Sequence, residues 1–406
     1  MKAPLAMTIR TPRPVAPIAA AFAGLAAILA APASGQDIPA APPPVQQAQE
    51  TRQARNVIVF LADAAGVATL NAASILAHGE PLRLSIQQWP HLGLSETSPV
   101  DRFVSDSANG MSAIMTGVKT HNGVISLGPD AVRGERDGQP TKTLLEYAEE
   151  RGLLTGVVSS QSIADATPAA TYAHANDRGD WGNIFPQAFA PRFGDGVDVL
   201  IGRGRGRIGE QLAALGTGFD QLASAHDRPI YATLADMPAD NARPVVVADE
   251  IDVRAATLAA LDRLEQADKG YLLVVEWDAH TDDVREGLEN LARFDGLMAE
   301  VAARVDLGET LLLFTADHSF GLQVDGGRRG EDLLAGYDAW QAAQPAASDD
   351  EDDDHVRLDN VFVNATHTAE EVPALAIGAG AERVRGYLPN TRLFAIMLEA
   401  WGWERD

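Results

Sequence analysis

The stretch Asn56-Val57-Ile58-Val59-Phe60-Leu61-Ala62-Asp63 is an unbroken apolar run that ends in an acidic residue. Runs of this kind are typical of parallel strands that are buried on both faces of a sheet. The run leads through Ala64-Ala65-Gly66 into a segment of helical character that reaches about His78. Asp63 therefore falls at the carboxyl end of a strand, the edge at which open α/β sheets bind ligands. An N-cap for the following helix explains its position equally well.

The alternation of strand and helix continues along the rest of the chain. Further buried strands are predicted near residues 155–160, 197–201, 271–275, 310–315 and 372–377, with helices such as 254–267 and 284–305 between them. This order predicts an α/β fold with a central, mostly parallel β-sheet sandwiched between helices and carrying loop insertions. One domain, residues 55–406, accounts for the whole pattern. The Arg-Gly repeat at 202–207 is predicted to be a surface loop, because it lacks the ending of a phosphate-binding P-loop and belongs to an acidic protein.

The first 54 residues differ from the rest in composition. Residues 1–35 carry Lys2, Arg10 and Arg13, then an Ala/Leu/Ile-rich run and a small-residue ending, which is the pattern of a secretory signal peptide. Pro17 and Pro32 break the run, so a membrane anchor is the weaker alternative and no membrane partner is expected. Residues 36–54 are predicted to be a flexible Pro/Ala/Gln-rich lead-in. The predicted location is the periplasm or the medium.

The charge and cysteine content exclude several kinds of function. The formal net charge is -25, which disfavours nucleic acid as a partner. There is no cysteine, so disulfides and thiolate zinc sites are excluded. The acidic run at 349–354 is predicted to be part of a solvated loop near 345–356. Clustered carboxylates elsewhere can be neutralised by bound divalent cations.

Carboxylates and imidazoles recur where the predicted strands end, and one more histidine follows in a late loop. Each has a commoner structural explanation, such as a turn, a cap or a solvated side chain, but their repetition favours a ligand cluster. Mixed His/Asp sites without Cys suit catalytic zinc, and Asp, Glu and Thr oxygens suit magnesium. The residues are more than one metal needs: Asp63, Asp165, Thr167, Glu276, Asp278, His280, Asp317, His318 and His367.

The segment Asp106-Ser107-Ala108-Asn109-Gly110 is predicted to be a polar turn that opens a helix. Taken alone, Asp-Ser at this point is an N-cap. A helix N-terminus also attracts anions, and a pair of metals holds the attacking and leaving oxygens of a displacement at phosphorus. Beside such a pair, Ser107 would be a nucleophile.

Several segments of the chain, taken together and in chain order, resemble those of the alkaline phosphatase family. The resemblance rests on the stretch from Asn56 to Asp63 together with Asp106-Ser107-Ala108, Thr116-Gly117-Val118-Lys119-Thr120, the stretch from Ala166 to His174, the stretch from Asp198 to Gly202, Thr315-Ala316-Asp317-His318 and His367-Thr368. It implies a phosphomonoesterase for small phosphorylated substrates, with two Zn2+ and one Mg2+, and homodimerisation is typical of that family. It further implies a phosphoserine at Ser107 and a bidentate phosphate clamp at Arg178.

The resemblance also implies which residues bind each metal ion. Asp63, Asp317 and His318 would hold the zinc that activates the nucleophile. A carboxylate from 276–278, with His280 and His367, would hold the second zinc. Asp63, Thr167 and Glu276 would bind magnesium, with Asp165 close by.

Three departures from the family pattern leave alternatives open. Glu276-Trp277-Asp278-Ala279-His280 is too short for all three usual ligands, so either Glu276 or Asp278 is the zinc ligand. If it is Glu276, which has the usual spacing to His280, the magnesium site is left short of a carboxylate. The family's usual Gly-Asp-Gly-Met-Gly is replaced by Ala62-Asp63-Ala64-Ala65-Gly66, and its small Ser/Thr residues after the nucleophile are replaced by Asn109-Gly110-Met111. A diesterase or sulfatase on the same scaffold is the alternative enzyme, and a non-catalytic metal- or phosphate-binding protein is the alternative of another class.

Overall fold

The computed structural model describes residues 53–238, 240, 243–343 and 355–405. The predicted signal peptide, most of the lead-in and the acidic run at 349–354 lie outside them. The described strands are β1 (Asn56–Asp63), β2 (His91–Glu96), β3 (Leu154–Ser162), β4 (Val199–Arg203), β5 (Ile230–Tyr231), β6 (Val245–Ala248), β7 (Tyr271–Asp278), β8 (Thr310–Thr315), β9 (Ser319–Val324), β10 (His355–Arg357), β11 (Val361–Thr368), β12 (Val372–Gly378) and β13 (Gly386–Pro389).

Ten of these strands form one sheet, in the order β13-β2-β12-β8-β1-β7-β3-β4-β6-β5. Neighbours are parallel except where β12 pairs with β2 and β8. The described helices are α1 (Val67–His78), α2 (Ser107–Thr116), α3 (Leu144–Glu150), α4 (Ala166–Tyr172), α5 (Trp181–Ile184), α6 (Arg205–Ala214), α7 (Phe219–Ala225), α8 (Val253–Leu264), α9 (Val284–Arg304), α10 (Tyr337–Ala343) and α11 (Thr391–Ala400). The predicted α/β class with a mostly parallel central sheet is confirmed.

The central strand β1 is buried on both faces, as its unbroken apolar run predicts. Val57, Val59 and Leu61 join the core beneath α2, α3, α4 and α11. Ile58 and Phe60 join the opposite core, beneath α1, α8 and α9. Because side chains alternate across a strand, every position of the run has an apolar environment to fill.

Two local predictions about the chain's path are wrong. The Arg-Gly repeat is not a surface loop, because Arg203 ends β4 and α6 begins at Arg205 after Gly204, whose φ of +105° suits glycine. His367 is not in a loop but on β11, which forms a second, antiparallel sheet with β9 and β10. A register shift in this ladder sets His367 opposite Phe320.

The register of the three adjacent strands β1, β7 and β3 brings the polar residues to one edge. Asp278 stands beside Asp63, and Glu276 stands beside Ser159. The carboxyl ends of these parallel strands therefore meet where α2 and α4 begin. Within the described ranges no helix is long and apolar enough to cross a bilayer.

Glu149, which lies at the end of α3, is a buried carboxyl next to β3 and the segment before β4. It accepts hydrogen bonds from the Thr155 hydroxyl and from the Asp195 amide, at 3.2 Å for the latter. Burial and the carboxyl of Asp195 raise the pKa of Glu149 to about 8. The folded chain therefore holds this proton more tightly than the unfolded chain, so the stabilisation is complete below about pH 4.5 and is lost as the pH rises towards 8.

Glu149→Gln should remove this pH dependence, because the amide stays neutral. We expect the variant to gain stability over the unaltered protein as the pH rises, on the order of 2 kcal/mol at pH 8. Urea unfolding at pH 5 and pH 8 measures the difference, with Glu150→Gln at the exposed neighbouring position as the control. A stability difference that is the same at both pH values would contradict the assignment.

Candidate active site

Ser107 is the first residue of α2 and is buried. Asp106 caps the helix, since its Oδ1 accepts a hydrogen bond from the Asn109 amide at 3.1 Å. The Ser107 Oγ lies 3.1 Å from Nε2 of His318. The hydroxyl thus stands between the positive end of a helix and an imidazole, which is a position suited to a nucleophile acting on an anion.

Asp63, His280 and His318 form a compact cluster whose ligand atoms all lie within 4.8 Å of one another. Asp63 Oδ1 is 3.2 Å from Nε2 of His318 and 3.6 Å from Nε2 of His280. Neither Asp63 Oδ1 nor His318 Nδ1 has a hydrogen-bond partner within the described part of the chain, although both are buried. A buried carboxylate oxygen within 4 Å of two imidazole nitrogens fits a bound metal ion.

The electrostatics of this cluster are strongly coupled. Burial alone would raise the pKa of Asp63, but His280 and His318 outweigh it and hold that pKa below its ordinary range. Burial would likewise lower the pKa of His280, but Asp63 and Asp278 raise it to about 10. Each side chain therefore favours the charged form of its neighbour, and a cation can take the place of the imidazole protons.

Asp278 holds His280 in orientation. The strand β7 ends at Asp278, after which the chain turns and the His280 ring folds back, so that its Nδ1 lies 2.7 Å from Asp278 Oδ1. Asp278 Oδ2 accepts a hydrogen bond of 2.6 Å from Gln161 Nε2. With Nδ1 engaged, Nε2 is the nitrogen that faces Asp63.

Glu276 lies deeper than Asp278 and is almost fully buried. It accepts a hydrogen bond from the Ser159 hydroxyl. Burial, followed by the charges of Asp63, Asp165 and Asp317, raises the pKa of Glu276 well above its ordinary value. The two carboxylates of the segment 276–280 therefore have different neighbours. Glu276 lies among buried acidic residues, and Asp278 is hydrogen-bonded to His280.

Asp317 and Thr167 complete the acidic side of the site. Thr167, in the first turn of α4, donates to Asp317 Oδ2 at 3.3 Å. Burial and the charge of Asp63 raise the pKa of Asp317 to about 6. Crowded carboxylates of this kind are stable together when cations neutralise them.

Arg178 is fixed by two carboxylates at the rim. It donates to Asp106 Oδ2 at 3.3 Å and to Asp165 Oδ1 at 3.2 Å. Its backbone amide donates to the Gly123 carbonyl at 2.8 Å. Burial would lower the pKa of Arg178, but Asp165 and Asp106 raise it. A guanidinium whose plane is set in this way can present its other N–H groups to a phosphate.

His367 packs against His318, with ring centroids 4.2 Å apart. Burial and His318 lower the pKa of His367 to about 4, so it is a neutral imidazole at physiological pH. All nine predicted ligand positions thus lie in or around one region, with Asp278 held in a hydrogen bond to a histidine. Phe320, Gln161 and Ser159 were not predicted, and no local sequence signal distinguishes them.

The unusual residues after Ser107 have structural explanations. The Asn109 side chain donates to Asp106 Oδ1 at 3.0 Å and to Asn122 Oδ1 at 2.6 Å, and so holds the cap that precedes the nucleophile. Gly110 lies against the main chain of the Asp317 loop, where an added Cβ would come 2.3 Å from the Asp317 carbonyl oxygen. Only glycine allows α2 to approach this loop so closely.

Gly110→Ala should therefore push the Asp317 loop away from α2. Because this loop also carries His318, we expect the contact between Ser107 and His318 to be lost and turnover to fall by about 100-fold, since small misplacements of reacting groups are costly. Steady-state kinetics measure the effect. Gly206→Ala is the matched control, because nothing lies within 4 Å of its added Cβ. Unchanged turnover in Gly110→Ala would contradict the packing argument.

Comparisons with known proteins find similarity to phosphatases. The family model described as alkaline phosphatase matches residues 54–205. Streptomycin-6-phosphate phosphatase of Streptomyces griseus is 30% identical over 428 aligned residues, which cover 86% of this chain and 91% of that protein. Alkaline phosphatase 4 of Drosophila melanogaster is 28% identical over 380 residues, covering 74% of this chain and 63% of that longer protein.

A solved structure shows the same fold. A variant of TAB5 alkaline phosphatase with Mg bound in its M3 site superposes with a TM-score of 0.68 at 23% identity. The match covers 88% of this chain and 100% of that one. The TAB5 enzyme comes from an Antarctic bacterium.

Proposed function

The chain belongs to the alkaline phosphatase family, and on that premise we propose that it hydrolyses phosphate monoesters through a phosphoserine at Ser107. The observation that carries the proposal is the position of the Ser107 hydroxyl, at a helix N-terminus and 3.1 Å from His318 in a buried cluster with Asp63. A protein that only binds phosphate needs no hydroxyl there. The name of the Streptomyces relative, a phosphatase of a phosphorylated compound, also supports monoester chemistry.

We propose that the site holds two zinc ions and one magnesium ion. We assign His318, Asp317 and Asp63 to the zinc beside Ser107, and His280 and His367 to the second zinc. Glu276, Thr167, Asp165 and Asp63 form the oxygen-rich side that suits magnesium. Bound there, divalent cations lower the pKa of a hydroxyl or of water and neutralise charge on the transferring phosphoryl group. Glu276 lies among these acids, which supports a complete magnesium site, and Asp278 acts through His280.

The side chains of this chain supply the binding and orientation. Arg178 and the first amides of α2 bind the oxygens of the phosphate, and Asp106 and Asp165 hold the guanidinium in its plane. Ser107 Oγ attacks phosphorus and loses its proton, while the bond from phosphorus to the alcohol oxygen breaks and the alcohol leaves protonated. Water then attacks the phosphoserine, which releases inorganic phosphate and restores the Ser107 hydroxyl.

The proposal is tested by the turnover of three ester classes on zinc- and magnesium-loaded protein. We expect p-nitrophenyl phosphate to be hydrolysed far faster than bis(p-nitrophenyl) phosphate or p-nitrophenyl sulfate. All three release the same chromophore, so the comparison isolates the group attacked. A clear preference for the diester or the sulfate would replace the monoesterase by the alternative enzyme. Full metal loading without any turnover would favour a binding protein.

Asp278→Ala should weaken metal binding at His280 without removing a ligand. The variant loses the partner that fixes the His280 ring, and losses of this kind cost about 10- to 100-fold in metal affinity. Zinc titration against a competing chelator measures the affinity independently of turnover. Asp278→Asn is the informative companion, because its amide oxygen can still accept from Nδ1 and should recover part of the affinity. If Asp278 were itself a ligand, the alanine variant would lose one zinc from its stoichiometry.

A further inference from the structure

Arg178 is carried by an irregular segment that follows α4. We call residues 173–178, which lead from the end of that helix to the guanidinium, the Arg178 segment. Ala175 and Ile125 exchange two backbone hydrogen bonds, at 2.8 and 3.0 Å. The amide of Arg178 donates to the same neighbouring stretch, residues 123–126. A segment without helix or strand cannot fix its own position, so the reach of Arg178 depends on attachments of this kind.

The imidazole of His174 fastens the Arg178 segment to the interior. The side chain is only 7% exposed. Its Nδ1 lies 2.7 Å from the carbonyl oxygen of Ser126 and donates to it, because a carbonyl can only accept. Its Nε2 lies 3.0 Å from Oε1 of Glu146. The ring is therefore held on both sides, four positions before Arg178 in the sequence.

Both partners of the imidazole are themselves fixed. Ser126 connects two helices, since its amide donates to Ser112 Oγ on α2 at 2.8 Å and its hydroxyl donates to the Ala170 carbonyl on α4 at 2.8 Å. Glu146 is fully buried on α3, where its Oε2 accepts from the Thr143 amide at 2.8 Å. The imidazole thus ties the Arg178 segment to a point that is anchored by three helices.

The hydrogen bonds of His174 leave it outside the reaction itself. Within the part of the chain that the structure describes, they reach neither Ser107 nor a proposed metal ligand. The side chains of Asp106 and Asp165 set the plane of the guanidinium, but they do not hold the main chain of the Arg178 segment. An effect of the imidazole on a bound phosphate must therefore pass through the position of Arg178.

On the basis of the proposed function, in which Arg178 binds the phosphate, we propose that His174 is a positioning residue of this clamp. By fixing the Arg178 segment against Ser126 and Glu146, the imidazole sets the distance between the guanidinium and a phosphate at Ser107. Without the imidazole, the guanidinium can still meet its carboxylates but is free to lie farther from the phosphate, so phosphate binding weakens.

The test is a double-mutant cycle on zinc- and magnesium-loaded protein, with inorganic phosphate as the ligand and calorimetry as the readout. We expect His174→Ala to weaken phosphate binding about tenfold, as the misalignment of one charge-assisted hydrogen bond allows. In an Arg178→Ala background, the same substitution should change the affinity by less than about twofold, because the group on which it acts is gone. Losses that are equally large with and without Arg178 would overturn the inference.

Two conservative variants keep the test decisive if His174→Ala fails to fold. The amide nitrogen of asparagine can take the place of Nδ1 and donate to Ser126, whereas that of glutamine reaches the place of Nε2 beside Glu146. We expect His174→Asn to keep more of the phosphate affinity than His174→Gln, because Ser126 belongs to the stretch that also binds the amide of Arg178. Equal phosphate affinities in the two variants would contradict the proposed attachment.

Thr171→Val is the matched control for a general loosening of α4. Thr171 is buried on this helix, and its hydroxyl donates to the Pro168 carbonyl at 2.6 Å rather than to the Arg178 segment. The control should lose stability in urea but keep its phosphate affinity, and an affinity as low as that of His174→Ala would overturn the inference. Phosphate binding without hydrolysis of any monoester overturns only the proposed function, whereas a loaded, unaltered protein that binds no phosphate overturns both.

Discussion

Ser107→Ala is expected to lower the turnover of p-nitrophenyl phosphate by about 10⁴-fold, with little change in metal content. The variant cannot form the phosphoserine, so only direct attack by water remains for a phosphate that is still bound by Arg178 and the cations. Truncation of a small hydroxyl leaves the first turn of α2 intact, because the cap hydrogen bond belongs to Asp106. The variant should therefore have a much lower kcat and a smaller change in KM.

The control for Ser107→Ala is Ser112→Ala on the same helix. Ser112 is also buried, and its Oγ accepts from the Ser126 amide at 2.8 Å, so its loss tests for damage to α2 without touching the nucleophile. Acid quenching after incubation with labelled phosphate should trap a phosphoprotein in the unaltered chain and in Ser112→Ala. Normal turnover in Ser107→Ala, or a label trapped on another residue, would contradict the assignment.

The central sheet could be predicted from the sequence because its inner strands have a recognisable local pattern. The run that becomes β1 is apolar at every position, and only a strand with a core on each face requires that. The polar residues that end β1 and β7 were predicted to gather for the same reason, since parallel strands share a carboxyl edge. The short edge strand β13 carries no comparable signal, because three of its four residues are exposed.

The detailed division of roles in the site could not be predicted. Alternation along an extended chain would set Glu276, Asp278 and His280 on one face, about 13 Å from end to end at roughly 3.3 Å per residue. The strand instead stops at Asp278 and the His280 ring returns to it. At that turn Asp278 also accepts a hydrogen bond from Gln161 of β3, which is distant in sequence. Phe320 was overlooked for a similar reason, because its contacts arise only when β9 and β11 pair.

The segment from Glu276 to His280 is thus shorter than the one usual in the family, and its side chains are arranged differently. In the short segment, one carboxylate is left among the buried acids and the other holds an imidazole. In the proposed assignment, the magnesium site keeps its carboxylates and the second zinc has fewer of them. We therefore expect the second zinc to be held more weakly than the first and to be the first ion lost.

Removal of the metals should abolish monoester turnover and destabilise the fold. Asp63, Glu276 and Asp317 are buried together, and burial with mutual repulsion already raises the pKa of Glu276 and of Asp317. Without cations these acids must take up protons or repel one another, and the proposed activation of Ser107 by a metal ion is lost. Dialysis against EDTA should therefore lower the midpoint of thermal unfolding as well as the activity.

The order in which added zinc and magnesium restore turnover to the metal-free protein distinguishes the proposed zinc and magnesium sites. Two equivalents of zinc should restore most of the turnover, and magnesium should add to it only if Glu276, Thr167 and Asp165 form the third site. Elemental analysis of each sample gives the stoichiometry, and EDTA saturated with zinc beforehand is the control for effects of the chelator itself. Glu276→Gln should abolish the response to magnesium while keeping both zinc ions. Full turnover in protein shown to be free of metal would refute the mechanism.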